Sequence, residues 1–221
     1  YLCSVGLTFK LCHALLKTRR IDFNLKTVLD LVALGTVADI VPLQGDNRVF
    51  VKSGSAVISS SRRAGIIKLI EVAGVKPPVM PDDIGYRLAP RLNAAGRLAT
   101  AEKALRLLLT DNPIEAAELA RELDNQNRER QEVEKQILQQ AEEELAKSFD
   151  PSRDAGIVLG ARGWHPGVLG IVASRISKKY YRPTIIIGFD ESGAGKGSGR
   201  SIENCSIVHA LTECGGTLEK F

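Results

Sequence analysis

From residue 114 to residue 150 the sequence contains neither glycine nor proline. Asn112-Pro113 heads this stretch, a capping side chain followed by proline at the first helical position, where its missing N–H costs nothing. Ala120, Leu123, Val133, Ile137, Ala141 and Leu145 fall near one stripe. The pattern predicts a helix over residues 111–147, on the order of 50 Å long. A helix of that length joins two domains or belongs to a coiled coil, and the heptads are too few for a coiled coil. The expected organisation is therefore a first domain over residues 1–110, a connector helix over 111–149 and a second domain over 150–221.

Charge follows the same division. The 221 residues carry a formal net charge of +4. Residues 111–149 hold eleven acidic and five basic side chains, which leaves about +10 on the remainder. That basic remainder suits an acidic polymer as partner. No apolar run approaches the ~20 residues of a membrane span. Four scattered cysteines, Cys3, Cys12, Cys205 and Cys214, do not form a disulfide scaffold and read as reduced thiols of a cytoplasmic protein. Cys205, His209 and Cys214 lack the fourth ligand of a structural zinc site. With no starting Met, no signal-peptide pattern and no closing signal, the sequence reads as an excised internal piece.

Before the connector, helical spacing is expected over residues 6–17, 66–72 (ended by Gly74) and 101–109, while 25–34 (closing at Gly35) reads as a helix or a buried segment. Another helix is capped by Pro81-Asp82-Asp83 and runs into Tyr86 and Leu88, while the type of 49–59 stays open. After Asp150-Pro151 the pattern changes. Residues 155–161 and 184–189 read as strands with a helix over 168–180 between them, a parallel, right-handed βαβ unit. A third strand is expected to end at Ile202, followed by a short helix over 207–213.

Four segments bear chemistry. In 33–43, Asp39 stands within an apolar run just after Gly35. Burying a carboxylate alone is costly, so it needs a partner. That partner is a Mg²⁺ or Mn²⁺ ion, which favours oxygen donors, or else Asp39 is a helix cap or pairs with Arg48. A second segment, 87–97, sets Arg87, Arg91, Arg97 and Asn93 among small residues and is expected to turn; arginine suits forked phosphate contacts, or else the segment is a charged helix end. The third is the Trp164-His165-Pro166-Gly167 turn between strand and helix. A helix N-terminus there offers unpaired N–H groups and the positive dipole end to a phosphate. His165 is a candidate for phosphate binding or proton transfer, or else is structural, and Trp164 either stacks a base or packs under the turn. The fourth, 195–201, reads as a glycine-rich turn that fails both the phosphate-loop pattern and G-x-G-x-x-G. Its Ser198, Arg200 and Ser201 look instead like discrete phosphate contacts.

Taken together and in order, these segments resemble the bacterial RecJ family, single-strand-specific 5′→3′ DNA exonucleases of the DHH phosphoesterase superfamily. Residues 34–43 with Gly45-Asp46-Asn47-Arg48 look like one family motif, 91–97 the next, 163–175 a third and 197–201 a phosphate-binding segment. Residues 123–131 resemble the family's connector helix. The resemblance implies an α/β fold: the C-terminal part of a DHH domain, a long connector helix, then an incomplete βαβ-containing DHHA1-type domain, with a nuclease cleft between the domains. It makes Asp39 a catalytic ligand of a Mn²⁺ or Mg²⁺ pair. Asn93, Arg97, His165, Ser198 and Arg200, with Gln131, Trp164 and Ser201, become candidates for contacting DNA phosphates or stabilising developing charge. It implies a role in repair and recombination, single-stranded DNA as partner, and a single-strand-binding protein or helicase as the type of protein partner. The family's Asp-x-Asp, Asp-His-His and Gly-Gly-His motifs are not in the sequence, so the piece alone is expected to be inactive. The rival readings are another DHH-superfamily phosphoesterase acting on short RNA or a cyclic dinucleotide, and a non-catalytic single-strand-binding relative.

Overall fold

A computed structural model of the chain describes residues 1–19, 21–98 and 100–219. Contacts divide it into an N-terminal unit, Tyr1–Arg128, and a C-terminal unit, Glu129–Phe221. The division falls inside the long helix, so the expected connector is shared by the two units.

The N-terminal unit is helical throughout. It comprises α1 (Ser4–Thr18), a 3₁₀ turn (Leu25–Val28), α2 (Leu29–Ala38), α3 (Gly45–Ser59), α4 (Ala64–Ala73), α5 (Pro81–Asp83), a π turn (Ile84–Leu88), α6 (Ala89–Leu98) and α7 (Glu102–Leu109). The segment left open over 49–59 is thus helix α3. Gly74 ends α4 in the left-handed region, at φ 62°. Helix α2 does not close at Gly35 but runs on to Ala38. Ile58, Ile66, Leu69, Ile84, Leu88, Leu107 and Leu123 are fully buried, each worth roughly 1.5–3 kcal/mol of transfer free energy.

The segment over 87–97, expected to turn, is helical. Pro90 explains the local geometry. It has no N–H, and its ring would clash with the carbonyl four residues back in a regular helix. The chain widens just before it, and the N–H of Ala89 bonds the carbonyl of Ile84, five residues back. This π turn carries the helix through without a break.

Helix α8 runs from Pro113 to Ser148. The Asn112 side chain caps it, accepting from the N–H groups of Ile114 at 2.9 Å and Glu115 at 3.4 Å. Its apolar stripe serves two cores: Ala116, Leu119, Ala120 and Leu123 in the first, Ile137, Ala141 and Leu145 in the second. The stretch between is polar yet partly buried, with a carboxylate clamp toward each end. Asp124 takes Arg91 at 2.8 Å and Arg128 at 2.7 Å. Glu134, only 2% exposed, takes Arg130 at 2.5 Å and Arg175 at 2.6 Å. Buried carboxylates survive only when paired in this way.

The C-terminal unit holds β1 (Ile157–Arg162), α9 (Pro166–Tyr180), β2 (Thr184–Phe189), β3 (Gly195–Arg200) and α10 (Ile207–Glu213). Strands β1 and β2 pair in parallel, Ile157 opposite Thr184 and Arg162 opposite Phe189, and α9 is the crossover. The expected βαβ unit is present. Within the segment 195–201, read from sequence as a turn, residues 195–200 form an edge strand, antiparallel to β2 with Gly195 opposite Phe189 and Arg200 opposite Thr184; the third strand expected to end at Ile202 is therefore present and ends at Arg200. The reason is a period-two pattern. Gly195, Gly197 and Gly199 lie over the side chains of Phe189, Ile187 and Ile207, which a Cβ there would meet at 2.9, 3.3 and 2.7 Å. Lys196, Ser198 and Arg200 alternate onto the opposite face.

Candidate nucleic-acid interface

Two groups of the sequence-named residues assemble, one in each unit. In the N-terminal unit Asp39 is the C-cap of α2, with its backbone N–H on the carbonyl of Gly35. It is exposed, not buried. The apolar run around it ends with the helix, so its carboxylate stays in water and needs no compensating partner. Among the described residues no ion pair with Arg48 forms, which leaves the cap position and availability to a ligand. Asp39 and Asn93 line one pocket of about 320 Å³, with Cys3, Ser4, Val5, Gly35 and Ala38. Asn93 and Arg97, one helical turn apart on α6, line an adjoining pocket of about 390 Å³ with Val41, Tyr86 and Pro90. Segments 33–43 and 87–97 are therefore brought together, as helix end against helix face.

The three arginines of 87–97 do not share a task. Arg87 donates to the Gly74 carbonyl at 3.0 Å and pairs with Asp83. Arg91 donates through Nε to Asp124 and through Nη1 to the Arg87 carbonyl. Both hold the fold together. Arg97 alone lies on the pocket wall.

In the C-terminal unit His165 is the N-cap of α9, and its Nδ1 accepts from the N–H of Gly167 at 3.1 Å. With Nδ1 accepting, a neutral ring carries its proton on Nε2. The helix terminus is less open than the sequence implies. Pro166 has no N–H, that of Gly167 goes to the imidazole, and that of Val168 bonds the His165 carbonyl at 3.2 Å. Attraction of an anion there falls to side chains, helped by the helix dipole.

Those side chains come from β3. Ser198 and Arg200 lie over α9 at Gly170: a Cβ built there would stand 2.8 Å from Nη2 of Arg200 and 2.9 Å from Oγ of Ser198. The Arg200 guanidinium also donates to its neighbours, to Ser198 Oγ at 3.3 Å and to the Gly199 carbonyl at 2.6 Å. A hydroxyl and a guanidinium held side by side over the first turns of a helix form a cradle whose donors are of the kind a phosphate accepts.

Other sequence candidates stand apart. Trp164 is 7% exposed, and its indole N–H donates to Gln140 at 2.7 Å. It packs under the turn and has no ring face free for a base, which corrects the stacking role. The Ser201 hydroxyl donates to the Cys205 carbonyl at 2.5 Å, closing its own turn. Gln131 is exposed on α8. Among the described residues no three His, Cys, Asp or Glu side chains come together to hold a metal ion, and no helix is long and apolar enough to cross a membrane.

Sequence reasoning missed Asp190, which orders the β2–β3 hairpin ahead of the cradle. Its carboxylate accepts from the Ser192 hydroxyl at 2.6 Å and from the N–H groups of Ser192 and Ala194 at 2.9 and 3.0 Å. The Ser192 hydroxyl first, then these backbone donors, holds the Asp190 carboxyl below the usual carboxylate range. Gly193, at φ 87°, closes the turn in a conformation that favours glycine. The spacing Asp190, Ser192, Gly193 was the available signal.

The strand–helix–hairpin arrangement belongs to a known class of domain: residues 154–219 match the DHHA1 domain. The whole chain is 40% identical to the single-stranded-DNA-specific exonuclease RecJ of Bacillus subtilis, matching 100% of this chain and 27% of that protein. It is 44% identical to that of Escherichia coli over 85% of this chain and 33% of that protein. Crystal structures of RecJ from Thermus thermophilus, in complex with Mg²⁺ and with Mn²⁺, match 88% of the chain at 40% identity and a TM-score of 0.79. The chain covers 30% and 28% of those two chains. The chain belongs to the RecJ family, and it spans about a quarter to a third of the length of these relatives.

Proposed function

We propose that the chain is the part of a metal-dependent, single-strand-specific 5′→3′ DNA exonuclease that contributes one metal-ligating carboxylate and a set of phosphate contacts. The observation that carries this reading is the placement of Ser198 and Arg200 over the first turns of α9. Such a cradle binds backbone phosphate and reads no base, which suits an enzyme that degrades strands of any sequence. Asn93 and Arg97 supply a second polar wall beside Asp39. The family membership and the naming of its relatives as single-stranded-DNA exonucleases favour this over a phosphoesterase of short RNA or cyclic dinucleotides.

Asp39 is an oxygen donor of the kind Mn²⁺ and Mg²⁺ prefer. The chain's own residues do not compose a metal centre, because no second and third ligand accompany it among the described residues. Asp39 is accordingly one ligand of a site that needs others. His165, through Nε2–H, is the donor beside the cradle. A single-strand-binding protein or a helicase as partner, and a cytoplasmic setting, complete this reading.

The test is binding by the purified chain. Fluorescence anisotropy is expected to show preference for single-stranded over duplex DNA and loss of that affinity in Arg200→Ala. Equal affinity for both forms, unmoved by Arg200→Ala, overturns the reading.

A further inference from the structure

The face of β3 that carries Ser198 and Arg200 also carries Lys196. Strand register fixes this. Thr184, Ile186 and Gly188 of β2 stand opposite Arg200, Ser198 and Lys196, and directly opposed residues share a face. Thr184 and Ile186 are fully buried. A Cβ on Gly188 would meet the Trp164 carbonyl at 2.1 Å. All three therefore look toward α9 and the turn that opens it. So do their partners on β3.

The direction of the row is equally determined. Helix α9 returns antiparallel to β2, so it runs in the same sense as β3. Ser198 and Arg200 sit beside Gly170, in the second turn of α9. Stepping back two residues along the strand, ~6.6 Å, corresponds to about four residues of helix. That places Lys196 level with His165 and Pro166, where the helix's own N–H groups are spent. Lys196 is exposed and forms no ion pair among the described residues. The two-residue step of a strand is close to the spacing of consecutive phosphates along an extended single strand.

We infer that Lys196 is a third member of this row and holds the phosphate adjacent to the one held by Ser198 and Arg200, so that the site takes two consecutive phosphates of one strand. This rests on the single-strand reading proposed above. It gives the cradle a polarity along β3 and a preference for a phosphodiester-linked strand over a mononucleotide. Arg162 is the internal control. It ends β1 opposite Phe189, near the same end of the sheet but on the other face.

The experiment is a salt titration of the full 221-residue chain with a short 3′-fluorescein-labelled oligothymidylate bearing a 5′-phosphate, followed by anisotropy. Each phosphate neutralised on a single strand contributes about 0.7 to the slope of log affinity against log salt. Lys196→Gln is expected to flatten that slope by about 0.7, Lys196→Arg to retain it, and Arg162→Gln to leave it unchanged. An unaltered slope in Lys196→Gln, beside a flattened one in Arg200→Gln, overturns the assignment of Lys196 and leaves the cradle standing. Equal flattening in Arg162→Gln and Lys196→Gln also overturns it, since any nearby cation then serves. An unaltered slope and affinity in Arg200→Gln overturn the single-strand reading and this inference with it.

Discussion

Gly170 has no side chain where the Arg200 guanidinium lies, with 2.8 Å between a built Cβ and Nη2. The two residues are thirty positions apart, yet the absence of one side chain determines where the other rests. Gly170→Ala is expected to divide stability from binding. The displaced atoms are ends of flexible side chains, and alanine favours a helix over glycine by about 0.5–1 kcal/mol, so Tm should hold or rise. Affinity for single-stranded DNA should fall roughly tenfold, on the scale of one hydrogen bond to a charged group. Thermal unfolding and anisotropy on the same preparation check both halves.

Gly188 is the opposite case. Its built Cβ would meet a backbone atom, the Trp164 carbonyl oxygen, at 2.1 Å. Backbone cannot step aside as a guanidinium can. Gly188→Ala should cost about 1–3 kcal/mol of stability, read as a lower denaturant midpoint.

His165 joins two roles that substitution can separate. Asparagine is a strong N-cap and would keep the acceptor now supplied by Nδ1. His165→Asn should preserve Tm while losing the Nε2–H donor, and His165→Ala should lose that donor and about 1 kcal/mol of helix stability as well. A fall in Tm for Asn equal to that for Ala would remove the capping role.

Asp190 has a carboxyl held below its ordinary value of 3.8 by the Ser192 hydroxyl and backbone donors. A depressed folded-state value means that the ionised form is the one favoured by the hairpin. Its contribution is fully present above the ordinary value and is lost as pH falls through the lower folded-state value. Hydrogen exchange in residues 190–194 should therefore be insensitive to pH across the neutral range and accelerate, relative to the intrinsic rate, only in acid. Asp190→Asn should flatten that acid response.

With Asp39 as the sole candidate ligand among the described residues, the purified chain is expected to leave a 5′-phosphorylated single strand intact in Mn²⁺. Stepwise shortening on a denaturing gel would show that its residues do compose a catalytic site.

Much of the architecture is legible in sequence because the signals are local. Helix α8 shows itself through the absence of breakers and through Asn112-Pro113, and the β1–α9–β2 unit through apolar runs of the right length. What was misread depended on tertiary context. The glycines of β3 look like a turn until Phe189 and Ile187 are seen to need the space. The segment 87–97 looks like a turn until a π turn is seen to absorb Pro90. Asp39 looks buried because the end of α2 is invisible in a uniformly apolar run. Trp164 reads as a platform or as packing until its burial under the turn decides. The residues Asn93, Arg97, Ser198 and Arg200 were nameable in advance, but their grouping into one pocket wall and one cradle required the fold.

The π turn at Ile84–Leu88 works as a counting device. One residue more or fewer in an α-helix rotates everything beyond it by about 100°. Asn93 shares a pocket with Asp39 only because the widened turn has already been counted in. Lineages carrying this motif should therefore accept scarcely any change of length between Pro81 and Pro90, since a single deletion there would turn Asn93 and Arg97 away together while leaving the helix itself intact.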